Sequence, residues 1–200
     1  MAGTATNYDP TVIVVDTVAQ IWAGLAVPAA SARLSLHTDG TPDSTANPTA
    51  IHLGHTKEGS KITIVSSLAK HFADEEAAPI KATVDVTDMS IEGEFLQVLD
   101  DDVLKKLTAP FGTYATASGY KQWTIGRKTL TYDSIAMIWP TPADATKFAV
   151  AHIYNGINEA GLSFQISRKG MSSTPFKFVA YAITSRAAAD AVGNYWYMIA

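Results

Sequence analysis

The sequence predicts a mainly β fold, an antiparallel β-sandwich or barrel with a long strand-pair excursion and one or two short flanking helices. Three observations carry this. Short runs alternate apolar and polar residues with period two along most of the chain. Turn-like clusters such as Pro140-Thr141-Pro142, Asn155-Gly156 and Lys169-Gly170 separate the later runs. The stretch Pro79–Leu107 switches once from strand to helix period, so helix is confined to a short piece. Two hundred residues, 47% of them hydrophobic, suit a single domain over 1–200 with an extended N-terminal arm and loops.

In chain order, Thr11–Ala23 is rich in β-branched residues and reads as a strand broken near Asp16. Val27–Leu36, Ala- and Ser-rich, has no clear state, and His37–Asn47 is a loop full of Gly, Pro, Asp, Ser and Thr. Ile51–His55 is a short strand and Lys61–Ser67 a second, alternating one. Lys61–Ser67 pairs with the strand that follows Pro79, and the acidic excursion Leu68–Pro79 forms the tip. That loop exceeds the usual hairpin length of ~2–5 residues, which points to a contact role. In the central strand Ile80, Ala82, Val84 and Val86 alternate in one phase, and Met89, Ile91, Gly93 and Phe95 in the other. One extra residue would change the phase, which places a bulge or bend near Thr87–Asp88. Asp100 suits a helix cap, Asp101 and Asp102 the first turn, Lys105 and Lys106 the last; Val103, Leu104 and Leu107 cover one side. A single helix over Glu94–Leu107 is the rival reading, disfavoured because three successive Asp look like a start.

Thr108–Gln122 reads as a small, polar loop. Alternating strands are then expected at Thr129–Trp139, Phe148–Tyr154, Leu162–Ile166, Phe176–Tyr181 and Tyr195–Ile199. A small helix at Arg186–Val192 would be capped by Ser185 and ended by Gly193. The expectation totals eight to ten strands and two short helices.

Composition excludes several chemistries. With no Cys there are no disulfides, thiolate metal sites or Cys nucleophiles. MAGTATNYDP lacks the basic and apolar regions of a signal peptide, and no apolar run approaches the ~20 residues of a membrane span. Net charge is −4, unevenly spread: residues 70–106 carry ten acidic and four basic side chains, residues 107–200 four acidic and eight basic. Opposite halves of this kind suit head-to-tail contact between copies, although solvated faces give the same pattern.

The search for a reactive site is negative. Gly54–Lys61 (GHTKEGSK) has phosphate-loop glycines, but Ser60 and Lys61 stand in the reverse of the required order. His52 and His55 would share a metal only on a helix, and Pro48 and Gly54 argue for strand or loop. Asp39–Asp43 and Asp100–Asp102 lack the spaced ligands of a calcium loop. There is no nucleophile elbow, and the chain is acidic where a nucleic-acid reader is basic. No enzyme activity, cofactor or metal is expected. The other reading is a β-sandwich binding module, for example for carbohydrate, with Trp22, Trp123 and Trp139 as an exposed row.

LGHTKEGSKITIVSS, the acidic tip, PIKATVDVTDMSIEGEFLQVLDDDVLKKLT and the closing GLSFQISRKGMSSTPFKFVAYAI together resemble the major tail (tail tube) proteins of long-tailed, non-contractile bacteriophages. The resemblance covers roughly residues 50–185, and the binding-module reading extends in this setting to another virion accessory protein. The resemblance implies a structural virion protein, assembled in the host cytoplasm into hexameric rings that stack into a tube. Its partners would be further copies of itself, the tape-measure protein and DNA in the lumen, and tail terminator and distal tail proteins, with no membrane. It implies an inner wall built from Lys61–Ser67 and Ile80–Ile91. A lumen that lets DNA slide must not grip phosphate, and Asp85, Asp88 and Glu92 are the lumen-facing candidates. Inter-ring contact is assigned to the tip, with Asp74, Glu75 and Glu76, and to the loop Thr108–Gln122.

Overall fold

The computed structural model describes residues 12–15, 19–30, 32–56, 60–71, 81–95, 101–108, 112–117, 119–126, 129–141, 144–161, 163 and 173–198. In chain order the strands are Val12–Val15 (β1), Gln20–Ala23 (β2), Ile51–His55 (β3), Ser60–His71 (β4) and Lys81–Phe95 (β5). A helix, Asp101–Thr108 (α1), comes next. Then follow Gly112–Ala117 (β6), Tyr120–Ile125 (β7), Asp133–Thr141 (β8), Asp144–Asn158 (β9), Thr174–Ala180 (β10) and Gly193–Tyr197 (β11).

Among the described residues all strand pairings are antiparallel, and nine of the strands share one sheet in the order β1-β4-β5-β10-β9-β8-β2-β3, with β11 added on β9. The sheet curls round: β2 joins β8 to β3, and Thr56, one residue past β3, bridges Phe95 at the end of β5. The fold is therefore the mainly β, antiparallel one the alternation predicts.

The interior follows from the two-residue period of a strand. Ile135, Met137 and Trp139 of β8, Ala149, Ala151 and Ile153 of β9, Phe176 and Phe178 of β10 and Met89, Ile91 and Phe95 of β5 fill one core. Ile21, Leu53 and Ile62 complete it, and Val103 and Leu107 of α1 join it. Phe95 and Phe176 stack with ring centres 4.2 Å apart. The alternate residues of β8 and β9 face outward yet are also buried. Ala136, Ile138, Phe148 and Val150 pack against Leu25, Leu34, Trp22 and Trp196 beneath a strap formed by residues 25–30 and 32–50. Asn47 holds the strap, accepting from Ala26 N through its side-chain oxygen and donating to Asp43 O. Gly40 has φ +82°, and a Cβ there would overlap the Phe148 ring, so the strap closes down only on glycine.

Several expectations need correction. The phase change in β5 is real, but the bulge sits earlier than Thr87–Asp88. Ser67 pairs Val86 and Leu68 pairs Val84, so Asp85 is the extra residue. The strand pair is longer than Lys61–Ser67 implied, since β4 runs to His71. Thr108–Gln122 is not a loop; most of it forms the β6–β7 hairpin, turned at Gly119 with φ +85°. Asn155-Gly156 is not a turn: β9 passes through it, and Gly156 lies against Ile153, Ile135 and the Asp133 carbonyl. Arg186–Val192 is only a 3-10 turn, Ala188–Asp190, without a side-chain cap, and Gly193 opens a strand instead of ending a helix. The rival helix over Glu94–Leu107 is excluded, because Glu94 and Phe95 belong to β5. Strand Leu162–Ile166 and the turn Lys169-Gly170 lie outside the described residues, apart from Ser163.

Candidate functional site

Two features project from the body. The first is the far half of the β4–β5 pair. β1 pairs β4 only from Ser60 to Thr63, and β10 pairs β5 only from Ser90 to Phe95. Beyond those points β4 continues to His71 and β5 begins at Lys81, paired with each other. Among the described residues no strand covers the outer side of either over that length. A two-stranded ribbon with two uncovered edges is marginal in water and is a template for further strands.

The second is the β6–β7 hairpin, a separate two-stranded sheet. Its side chains from Tyr120 to Gln122 are exposed, as are Thr124 and Ile125, with Ile125 at 74%. An ion pair between Lys121 and Asp101 clips it to the start of α1. Lys106 in turn reaches Asp133 at the start of β8, and the Asn158 amide donates to the Leu107 carbonyl near the helix end.

The lumen-facing candidates separate on this frame. Asp88 and Glu92 share the outward face of β5, since Met89 and Ile91 point into the core. Asp88 is exposed, opposite Val65. Glu92 is paired with Lys61 across the strands at 3.2 Å and stands opposite Lys177 on its other side. The face is thus a mixed-charge row and not a purely acidic one. Asp85 is described for its backbone alone, as the bulge residue. Asp74, Glu75 and Glu76 lie outside the described residues.

The Trp row envisaged for a carbohydrate site does not form. Trp139 is buried in the barrel core, while Trp22 packs in the other cluster with its ring against His52. Among the described residues no group of three or more His, Asp or Glu is placed to hold a metal ion. No helix among them is long and apolar enough to cross a membrane.

One polar group lies where sequence reasoning saw only alternation. His152 in β9 is fully buried on the strap side, its Nε2 2.6 Å from the Ser134 hydroxyl of β8. Burial, with the Arg186 charge behind it, pushes the ring down to about 4. Next to it Tyr154 packs edge-on, donates to Asp190 and carries the Arg186 guanidinium over its ring. Burial and Asp190 push the Tyr154 hydroxyl up to about 12. A histidine in the apolar phase of a strand was the available signal, but its partners come from β8 and from the turn before β11.

Comparison with protein-family models and with curated proteins finds no match to this chain.

Proposed function

We propose that this chain is a building block of a phage-type tail tube, closing into rings by strand pairing between copies and stacking those rings into a conduit for DNA. The observation that carries the reading is the β4–β5 ribbon, which runs past its neighbours with both outer sides uncovered by any described strand. In a monomer such edges are a hazard; between copies they are an interface. A contact that repeats by rotation closes a ring, and a second one along the axis makes a tube. The β6–β7 hairpin and the acidic tip around Asp74, Glu75 and Glu76 are the proposed axial contacts. The outward face of β4 and β5 is the proposed lumen wall. There Asp88 supplies repulsion toward phosphate, while the Lys61–Glu92 pair leaves the wall close to neutral. The subunit would act in the virion tail, after assembly in the host cytoplasm, around a tape-measure protein and then DNA, with terminator and distal tail proteins at the ends.

Negative-stain electron microscopy of concentrated protein tests this directly. Rings or tubes are expected. A species that stays monomeric at every concentration reached, by light scattering, overturns the reading.

A further inference from the structure

Two side chains from the neighbourhood of His152 tie the strap to the turn before β11 and to β11 itself. Arg186 donates to the Pro28 carbonyl at 2.8 Å, and the Asn194 amide donates to the Ala32 carbonyl at 3.2 Å. Asn194 stands directly opposite His152 in the β9–β11 register. The Asn194 side-chain oxygen and His152 Nδ1 are both buried and make no hydrogen bond. Under the strap lie Trp22, Ile138, Phe148, Val150 and Trp196, an apolar face on which Leu25, Leu34 and Leu36 of the strap pack.

We propose that His152 is an acid-sensitive latch whose protonation releases the strap from this face. The neutral ring carries a single N–H and one acceptor nitrogen, with Ser134 on Nε2 and no partner on Nδ1. The imidazolium has N–H donors at both nitrogens, and a buried donor without an acceptor is costly. Directly across the register, the Asn194 oxygen is an acceptor without a hydrogen bond. Turning it toward the ring carries the amide nitrogen away from Ala32. The charged groups around the ring supply no counter-charge. Arg186 is itself a cation, and Asp190 is committed to Tyr154 and Arg186. Asp133, beside Ser134 in β8, is paired with Lys106, and Arg33 of the strap lies over Trp196. Repulsion therefore falls on Arg186, the second tie to the strap. Both ties weaken by the same event.

The full chain, which has no native cysteine, is spin-labelled through Ala30→Cys, an exposed strap position. Label mobility and far-UV circular dichroism are followed from neutral pH to about pH 3, bracketing the ordinary and the buried histidine values. The label is expected to be immobile at neutral pH and to become mobile on acidification while the strand signal persists. In His152→Gln it stays immobile throughout. In Ser134→Ala, which removes the one hydrogen-bond partner of the ring, the change moves to a different pH. A native label that stays immobile to about pH 3, loss of strand signal at the same pH as release, or a His152→Gln transition at the native pH each overturns the proposal. Should His152→Gln fail to fold, an unshifted Ser134→Ala transition does the same.

Discussion

β8 and the β6–β7 hairpin are built from the same antiparallel backbone pairing, yet they live in opposite surroundings. From Ser134 to Trp139 every side chain of β8 is buried, with the barrel core on one face and the strap on the other. On the hairpin nearly every described side chain is wet. Hydrogen bonds alone do not account for the persistence of either element, since a ladder bond is worth little net against water. Strand β8 persists through burial on both faces. The hairpin depends on its turn, on the Lys121–Asp101 clip and, in the proposed tube, on a neighbour. What is covered in the single chain sets its stability, and what is left uncovered is offered to partners.

Truncation should break the two regions unequally. Phe176→Ala removes a fully packed ring stacked on Phe95 and should cost about 3–5 kcal/mol by urea denaturation. Tyr120→Ala, at a 62% exposed hairpin position, should change stability by less than about 0.5 kcal/mol. Comparable losses at both sites would mean the hairpin is part of the core. Acid should come next in size. A histidine held neutral in the fold contributes stability that is complete above its ordinary value of 6.5 and is lost as pH falls toward about 4. The loss by pH 4 is on the order of 3 kcal/mol. The pH dependence of the urea midpoint in native protein and in His152→Gln measures it; parallel curves would remove His152 as the cause.

The same contrast explains what the sequence disclosed. Where one face of a strand is buried, alternation is visible, and β10 and the inner half of β5 were legible from it, while β2 was read from its β-branched residues. The bulge was visible as a phase change between Val86 and Met89, although apolar residues cannot say which position is the extra one; the pairing puts it at Asp85. The hairpin was missed because a ribbon wet on both faces has no hydrophobic period, and Thr113, Thr116 and Tyr120 read as loop. β9 was cut short at Asn155-Gly156 because glycine marks both turns and close contacts, and here it makes room for Ile153. α1 was legible from its charges and from Val103, Leu104 and Leu107. Of the candidate site, the exposure of Asp88 and its shared face with Glu92 follow from alternation. The Lys61–Glu92 partnership depends on register and was not readable. Neither was the Ser134–His152 contact, which joins residues from two strands.

A smaller effect sharpens the contrast within the sheet. A double-mutant cycle with Lys61→Gln and Glu92→Gln should give a coupling of about 0.2–1 kcal/mol, falling with added salt. Both side chains are more than a third exposed, so solvent competes for each charge. A salt-insensitive coupling above that range would mean the outward face of β4 and β5 is already desolvated in the single chain, and it could not then serve as a wet wall.

The smallest effect on stability should accompany the largest on assembly. Val65 is 43% exposed on β4, just past the last residue that β1 pairs, and faces Asp88 across the ribbon. Val65→Lys places a charge where the ribbon edge begins, the device by which natural sheets discourage added strands. In the isolated chain it gains a cross-strand acid and loses little packing, so the urea midpoint should move by less than about 0.5 kcal/mol equivalent. If the ribbon pairs between copies, the same lysine sets a charge against the first residues of the added strand, and rings or tubes should disappear from micrographs. Unimpaired tubes at unchanged stability would place the joint elsewhere, with the hairpin as the remaining projection to carry it; a large loss of stability would show that the ribbon is already covered within one chain.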